Sequence, residues 1–257
     1  MRIGVAGIAG RMGRLVAREA IAAGALLAGG TWRGGEMPPE GVAYFADVGA
    51  MARQCDAVVD FTHASAVRPH AAALADAGCA WVLGTTGLSA EDRDAVREAA
   101  HRIPIVQAAN FSPGVTLLLA LAERLGAALP AGAYDAEILE MHHRQKTDAP
   151  SGTALALGEA VARGRGVSLE TLAVHARDGD IGPRPPGAIG FASLRGGQIV
   201  GEHTLLFAAG DEQIAVTHRA FDRGVFARGA VRAAMWEHGR PPGLYGMEDV
   251  LAMTDTK

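Results

Sequence analysis

Between Glu137 and Ala154 the chain gathers two acids, Glu137 and Glu140, with His142, His143, Arg144, Lys146 and Asp148, and then Ser151-Gly152-Thr153. Imidazole gives or takes a proton near neutral pH, so His142 is a candidate acid or base. Lys146 is set apart by composition: of 24 basic residues only Lys146 and the last residue, Lys257, are lysines. Wherever a generic cation would serve, the chain uses Arg, which keeps its proton; a lysine can release one. Lys146 therefore reads as a proton donor or as a neutralising partner for a carboxylate. Ser151-Gly152-Thr153 reads as a helix start. The N–H groups of Gly152 and Thr153, aided by the hydroxyls of Ser151 and Thr153, suit a substrate carboxylate. Adjacent histidines on a strand point to opposite faces, and no H-x-x-x-H or H-E-x-x-H occurs, so no metal is expected.

A second chemical constellation lies at the N-terminus: Gly7-Ile8-Ala9-Gly10-Arg11-Met12-Gly13, directly after the strand-like Arg2–Ala6. Gly7 permits a tight turn, Gly10 lets a pyrophosphate approach the backbone, and Gly13 lets helix and strand pack closely. These residues, Gly7 to Met12, are candidate dinucleotide contacts. An acid usually stands about 20 residues on, at the end of the second strand, for the ribose hydroxyls of NAD. Here that end reads Gly30-Thr31-Trp32-Arg33. Arg33, with Arg11 as a second cation, suits a 2′-phosphate, and Trp32 or Arg33 suits stacking on adenine. NADPH is therefore the expected cofactor, with NADH as the alternative. Two further loops leave predicted strand ends, Gly84-Thr85-Thr86-Gly87 and Ala108-Ala109-Asn110-Phe111-Ser112. Their small residues suit a nicotinamide lying flat against backbone, with Asn110 or the backbone bonding its carboxamide.

Elements must position these groups. In the first half, strands are predicted at Arg2–Ala6, Ala25–Thr31, Ala57–Phe61, Trp81–Gly84 and Ile103–Gln107, and helices at Arg11–Ala23, Val67–Ala77 and Ala90–His101. That alternation implies an α/β fold with a Rossmann-like parallel sheet. The second half changes character: a helix at Pro113–Leu129, a strand at Tyr134–His142, a helix from Ser151 to about Arg163. Strand-like stretches follow at Leu172–Arg177, Ile189–Arg195, Ile199–Phe207 and Gln213–His218, and a last helix at Arg223–His238. This is the pattern of an α+β domain with a mixed, largely antiparallel sheet. The last helix is placed to return to the first sheet, so residues 1–111 with 223–257 read as one discontinuous dinucleotide-binding domain, and 112–222 as a substrate-binding domain. The Gly- and Pro-rich loop Asp178–Ala188 is long enough to be functional or mobile.

The 257 residues, 49% apolar and 20% charged, suffice for two cores. A formal net charge of −4 argues against a nucleic-acid surface. Apolar runs fall short of a membrane span, and the opening strand leaves no room for a secretory leader, so a cytoplasmic location is expected. Cys55 and Cys79 read as two buried thiols rather than a disulfide. His63, His70, His101 and His238 read as surface or helix-face residues, and His203 and His218 as outer neighbours of the substrate.

The stretch from Glu140 to Ala154 resembles the E-x-H-H-x-x-K-x-D-A-P-S-G-T-A signature of the dihydrodipicolinate reductases. The G-x-x-G-R-M-G, G-T-T-G and A-A-N-F-S segments, Gly201-x-His203, Val216 to Ala220 and Gly243 to Leu251 resemble that family in the same order. The resemblance implies reduction of 4-hydroxy-tetrahydrodipicolinate to tetrahydrodipicolinate by NADPH or NADH in lysine and diaminopimelate biosynthesis. It also implies a cytoplasmic homotetramer joined through the sheets of the second domain. By position, His142 resembles the family's acid/base, Lys146 its second proton donor, and His143 with Gly152 and Thr153 its carboxylate site. Gly7 to Met12, Gly84 to Thr86 and Ala108 to Phe111 resemble its cofactor contacts. The departure is Trp32, where members that use NADH well carry an acid. Closure about Ser112 and Asp222 is expected to exclude water. On the residues alone two other readings stay open: an amino-acid dehydrogenase, which would not need D-A-P-S-G-T, and an NADPH-binding sensor without turnover, which need not keep His142 beside Lys146.

Overall fold

Runs such as Ala57-Val-Val and Ala80-Trp-Val-Leu are apolar at every position, as strands covered on both faces require. In the computed structural model, which describes residues 1–32, 34 and 40–253, they become the centre of a parallel sheet. The first elements are β1 (Arg2–Ala6), α1 (Arg11–Ala22), β2 (Leu26–Thr31), β3 (Tyr44–Phe45), α2 (Val48–Ala52), β4 (Ala57–Asp60), α3 (Val67–Ala77), β5 (Ala80–Leu83), α4 (Ala90–Ala100) and β6 (Pro104–Gln107). After them come α5 (Pro113–Ala128), β7 (Asp135–His142), α6 (Gly152–Gly164), α7 (Leu169–Leu172), β8 (Ala173–Val174), β9 (Ile189–Arg195), β10 (Gly201–Ala208) and β11 (Gln213–Ala220). The chain closes with α8 (Gly224–Glu237), β12 (Gly243–Tyr245) and α9 (Met247–Val250). The chain divides into two compact units, residues 1–113 with 223–257 and residues 114–222.

In the first unit the strand order is β12-β6-β5-β4-β1-β2-β3, and every pairing is parallel. Helices α1 and α8 bury Val16, Ala20, Ala227 and Ala234 against one face, while α2, α3 and α4 bury Met51, Leu74 and Val96 on the other. Order β3-β2-β1-β4-β5-β6 reverses direction between β1 and β4, the switch point of a doubly wound sheet. Helix α4 is fixed by a capping box: Asp92 N–H donates to Ser89 Oγ at 3.1 Å and Ser89 N–H to Asp92 Oδ2 at 3.0 Å. Cys55 and Cys79 are free and buried, and burial pushes the Cys55 thiol up to about 11.

The second unit holds a sheet of order β11-β10-β7-β9-β8. It is mixed, with parallel pairings (β7 with β9, β8 with β9) as numerous as antiparallel ones (β10 with β7 and with β11). Along the strands the antiparallel register predominates, as expected, because β10 pairs over its length with both β7 and β11 while β8 meets β9 only at its short end. The crossover through α6 returns the chain to a parallel neighbour of β7. The expected strand Leu172–Arg177 is replaced: α7 takes Leu169–Leu172 and only Ala173–Val174 pairs. Helices α5 and α6 pack Leu118, Ala122, Leu157 and Val161 onto Ile138, Phe191, Leu205 and Phe207. The loop from Asp178 to Ala188 is pinned rather than loose, since Arg184 donates to Glu137 (2.9 Å), Asp135 (2.8 Å), and the carbonyls of Ala136 (2.9 Å) and Ala188 (2.7 Å).

Candidate active site

Gly7 begins the turn after β1 with φ at +71°, a left-handed value that favours glycine. A Cβ on Gly13 would lie 2.3 Å from the Gly7 carbonyl oxygen, so only glycine lets α1 settle on the turn. The turn is tied to β2: Gly7 N–H donates to Thr31 Oγ1 at 3.0 Å and Ile8 N–H to the Thr31 carbonyl at 3.1 Å. Gly10, the N-cap of α1, brings no side-chain cap, so the first turn keeps N–H groups for a ligand. A cavity of about 830 Å³ opens at this switch point, lined by Gly7, Gly10, Arg11, Trp32, Thr62 and His63 among others. The residues fit a dinucleotide: glycine backbone and an uncapped helix start for pyrophosphate, a tryptophan and an arginine at the rim. Arg33 lies outside the described residues.

Of the other nucleotide candidates, Ile8 and Phe111 have buried side chains. Phe111 meets Phe61 edge-on at 5.5 Å, so both residues can offer a ligand only backbone. Asn110 Oδ1 accepts from Ser112 N–H at 2.8 Å, holding its loop in a tight turn. Ala109 and Thr86 are exposed, Met12 is half-buried, and Ala108 N–H is spent on the Leu83 carbonyl at 3.2 Å. Ala9 is buried and its carbonyl accepts from Arg14 Nε at 3.0 Å.

The sequence reading missed a buried group behind this cavity, held by two residues that line it, Thr62 and His70. Asp60, fully buried at the end of β4, accepts from Thr62 N–H (2.9 Å) and Thr62 Oγ1 (2.6 Å) and meets His70 Nδ1 at 2.7 Å. Thr85 Oγ1 lies at 3.5 Å, linking the loop after β5. Burial pushes the Asp60 carboxyl up, and the bonds from His70 and Thr62 more than offset it, so it stays below its usual range. His70 is thus a helix-face residue, as expected, but a buried partner of an acid, while His63, His101 and His238 are exposed. The signal that was available is an acid closing an otherwise apolar strand at a switch point.

In the second unit, alternation along β7 sends Ile138, Glu140 and His142 to the helix-covered face. Glu140 is 1% exposed yet fully partnered. Its carboxylate receives Arg195 through Nη1 at 2.8 Å and Nη2 at 2.7 Å, the Ser151 N–H at 3.1 Å, and meets His142 Nδ1 at 2.6 Å. Burial raises the Glu140 carboxyl, but Arg195, His142 and Ser193 pull it down to about 2. His203 stands opposite Glu140 on β10 and meets the His142 ring edge-on at 5.1 Å. After β7 the chain turns with Lys146 N–H on the His143 carbonyl at 3.1 Å, and Lys146 Nζ pairs with Asp148 Oδ1 at 2.8 Å. Lys146 is near enough for its charge to bear on His142. Gly152 is exposed and Thr153 half-buried in the first turn of α6. Ser151 differs from expectation: its buried hydroxyl accepts from Ala154 N–H at 3.2 Å and faces His203 Nε2 at 3.0 Å, so it caps the helix from inside. Arg195 was not singled out from the sequence, because parallel pairing of β9 with β7 brings it beside His142 from far along the chain.

Comparison with known proteins follows the same division. Residues 1–111 match the family described as dihydrodipicolinate reductase, N-terminus, and residues 114–251 match dihydrodipicolinate reductase, C-terminus. A protein of Granulibacter bethesdensis named 4-hydroxy-tetrahydrodipicolinate reductase is 62% identical over 98% of this chain and 97% of its own length. One of the same name from Gluconacetobacter diazotrophicus is 61% identical over 98% of each. Among solved structures, a dipicolinate-bound dihydrodipicolinate reductase from Paenisporosarcina sp. TG-14 aligns with a TM-score of 0.79 at 22% identity, over 97% of this chain and 98% of that one.

Proposed function

The chain belongs to the dihydrodipicolinate reductase family, and from that premise we propose that it reduces 4-hydroxy-tetrahydrodipicolinate to tetrahydrodipicolinate in lysine and diaminopimelate biosynthesis. The observation that carries the reading is the match of both family models, in order, over nearly the whole chain. One hydride and one proton enter and one water leaves. The nicotinamide dinucleotide supplies the hydride. Gly7 to Met12, with the loops Gly84 to Thr86 and Ala108 to Phe111, hold it, and the first unit is the dinucleotide-binding domain. The second unit binds substrate. His143 and the N–H groups of Gly152 and Thr153 hold a substrate carboxylate, and His142 and Lys146 handle the proton that follows the hydride.

NADPH is the preferred donor in this reading. Support comes from Thr31-Trp32 at the end of β2, where no acid stands to bond a ribose hydroxyl, and from Arg11 at the cavity. No helix among the described residues is long and apolar enough to cross a membrane, and the enzyme is taken to act in the cytoplasm. The half-exposed apolar outer face of the second sheet supports a homotetramer.

The test mixes the protein with freshly made condensation product of pyruvate and aspartate semialdehyde and follows loss of NADPH or NADH absorbance separately. Rapid oxidation, faster with NADPH, is expected. His142→Ala and Lys146→Ala should each lose on the order of 100-fold or more in kcat. A protein that binds NADPH yet oxidises none of it in the presence of this substrate would overturn the reading.

A further inference from the structure

Resting on the reading of His142 as an acid/base, we propose that Arg195 and Glu140 are positioning residues that hold His142 as a neutral imidazole, with its hydrogen on Nδ1 and its lone pair at Nε2. A buried carboxylate 2.6 Å from an imidazole would by itself draw a second proton onto the ring. Here the carboxylate is not by itself. Arg195 grips both of its oxygens in the paired geometry of guanidinium and carboxylate, and the Ser151 N–H takes a further lone pair. The guanidinium is fixed in turn, donating to the Asp148 carbonyl at 2.6 Å and the Leu194 carbonyl at 2.7 Å.

Glu140 therefore acts on His142 as a hydrogen-bond acceptor whose charge is already matched. It orients the ring and selects the tautomer without making the imidazolium the resting form. The other charged or titratable groups around the ring point the same way. Lys146, on the loop, is cationic and tied to Asp148. His203, on β10, is buried beside the ring, with His218 across from it on β11. Burial lowers the His142 ring, Glu140 raises it, and Lys146 and Arg195 lower it again, leaving it below its ordinary value. The far nitrogen is kept clear: a Cβ on Gly201 would stand 3.1 Å from His142 Nε2. An acceptor at Nε2 beside the Lys146 ammonium divides the proton work between two groups of opposite role.

The experiment is nitrogen NMR of the full-length protein labelled at histidine, with His142 assigned by loss of its signals in His142→Gln. At pH 7 the parent's His142 is expected neutral and protonated at Nδ1. In Arg195→Met its titration midpoint should rise by one unit or more, because Glu140 is left uncompensated. In Arg195→Lys, which keeps the charge, it should stay within a few tenths of a unit of the parent. Where turnover is measurable, the acid limb of kcat/KM should move with that midpoint, with KM for the dinucleotide unchanged. A parent ring protonated at Nε2 or cationic at pH 7, or an Arg195→Met midpoint equal to the parent's, would overturn the proposal. The parent tautomer is read whether or not the variants fold. Because these signals are independent of turnover, an inactive protein with the expected tautomer overturns the functional reading and leaves this one standing.

Discussion

His203 is buried against His142 and Ser151, and burial, with His142, His218 and Lys146 adding to it, pushes its ring down to about 4. In the unfolded chain a histidine titrates near 6.5. Between those values the unfolded chain binds more protons, so the contribution of neutral His203 to stability is complete above about pH 6.5. It fades as pH falls towards 4, by about 3 kcal/mol in all. Replacing His203 with Gln, which can still reach the Ser151 hydroxyl, should flatten that acid limb. Urea unfolding of parent and variant at pH 7 and pH 4.5 measures it; equal losses in the two proteins would show that His203 does not set the limb. The same neighbourhood shows what the sequence could disclose about the site. Lys146 was visible through composition alone; the i, i+2 spacing of Glu140 and His142, which puts both on one face of a strand, was a further signal left unused. Asp60 with His70, and Arg195 with Glu140, were not visible. Each pair joins residues on different elements, and only the folded arrangement says that they are matched.

Helix α8 ends on Glu237, which is 0% exposed and packs in the layer against β4, β5 and β6. Burial pushes its carboxyl well above the usual carboxylate range, and neither carboxylate oxygen has a hydrogen-bond partner among the described residues. A group that keeps its proton in the fold and loses it in the unfolded chain favours folding fully only below the unfolded value. That advantage is lost as pH rises towards the folded value. Glu237→Gln removes the ionisation and keeps the shape, so its gain in urea midpoint over the parent should be larger at pH 8 than at pH 5. A gain that does not change with pH would mean that Glu237 is already ionised in the fold. The helix was legible because its apolar positions recur over four turns, and so were α1, α3, α4, β9 and the longer strands of the parallel sheet, β1, β2, β4, β5 and β6. The short elements β3, α2, β12 and α9 were not. Two to five residues hold no period, and these are placed by partners: β3 by pairing with β2, α2 by the Asp47 cap at 2.7 Å from Ala50 N, α9 by Asp249 on Gly246 N–H at 2.7 Å.

At the scale of the molecule, the first sheet has helices on both faces and the second on one, so an outer face with apolar residues stays open. Helices α5 and α6 close the face that carries Ile138, Phe191, Leu205 and Phe207. On the other face Leu139 pairs with Ala192 and Met141 with Leu194, Leu206 on β10 lies diagonal to Leu139, and Leu194 is 51% exposed. The patch is rimmed by polar groups, the Thr204–Thr217 hydroxyl pair at 2.9 Å and the Arg219–Glu202 ion pair at 2.8 Å. An apolar patch with such a rim is the form of a protein interface, and a repeated copy of the same flat surface fits it by symmetry. A carboxylate placed within it would have to be desolvated without a partner in every copy, a penalty of several kcal/mol per ion. Leu194→Glu is therefore expected to reduce the proposed homotetramer to smaller species at micromolar concentration, read by size exclusion with light scattering. The fold should survive, because position 194 faces away from the core packed under α6. Glu202→Gln, at the rim, should leave the assembly as in the parent. A Leu194→Glu protein that still runs as four chains would move the interface elsewhere and leave this face to solvent. A parent that runs as a single chain would remove the assembly itself.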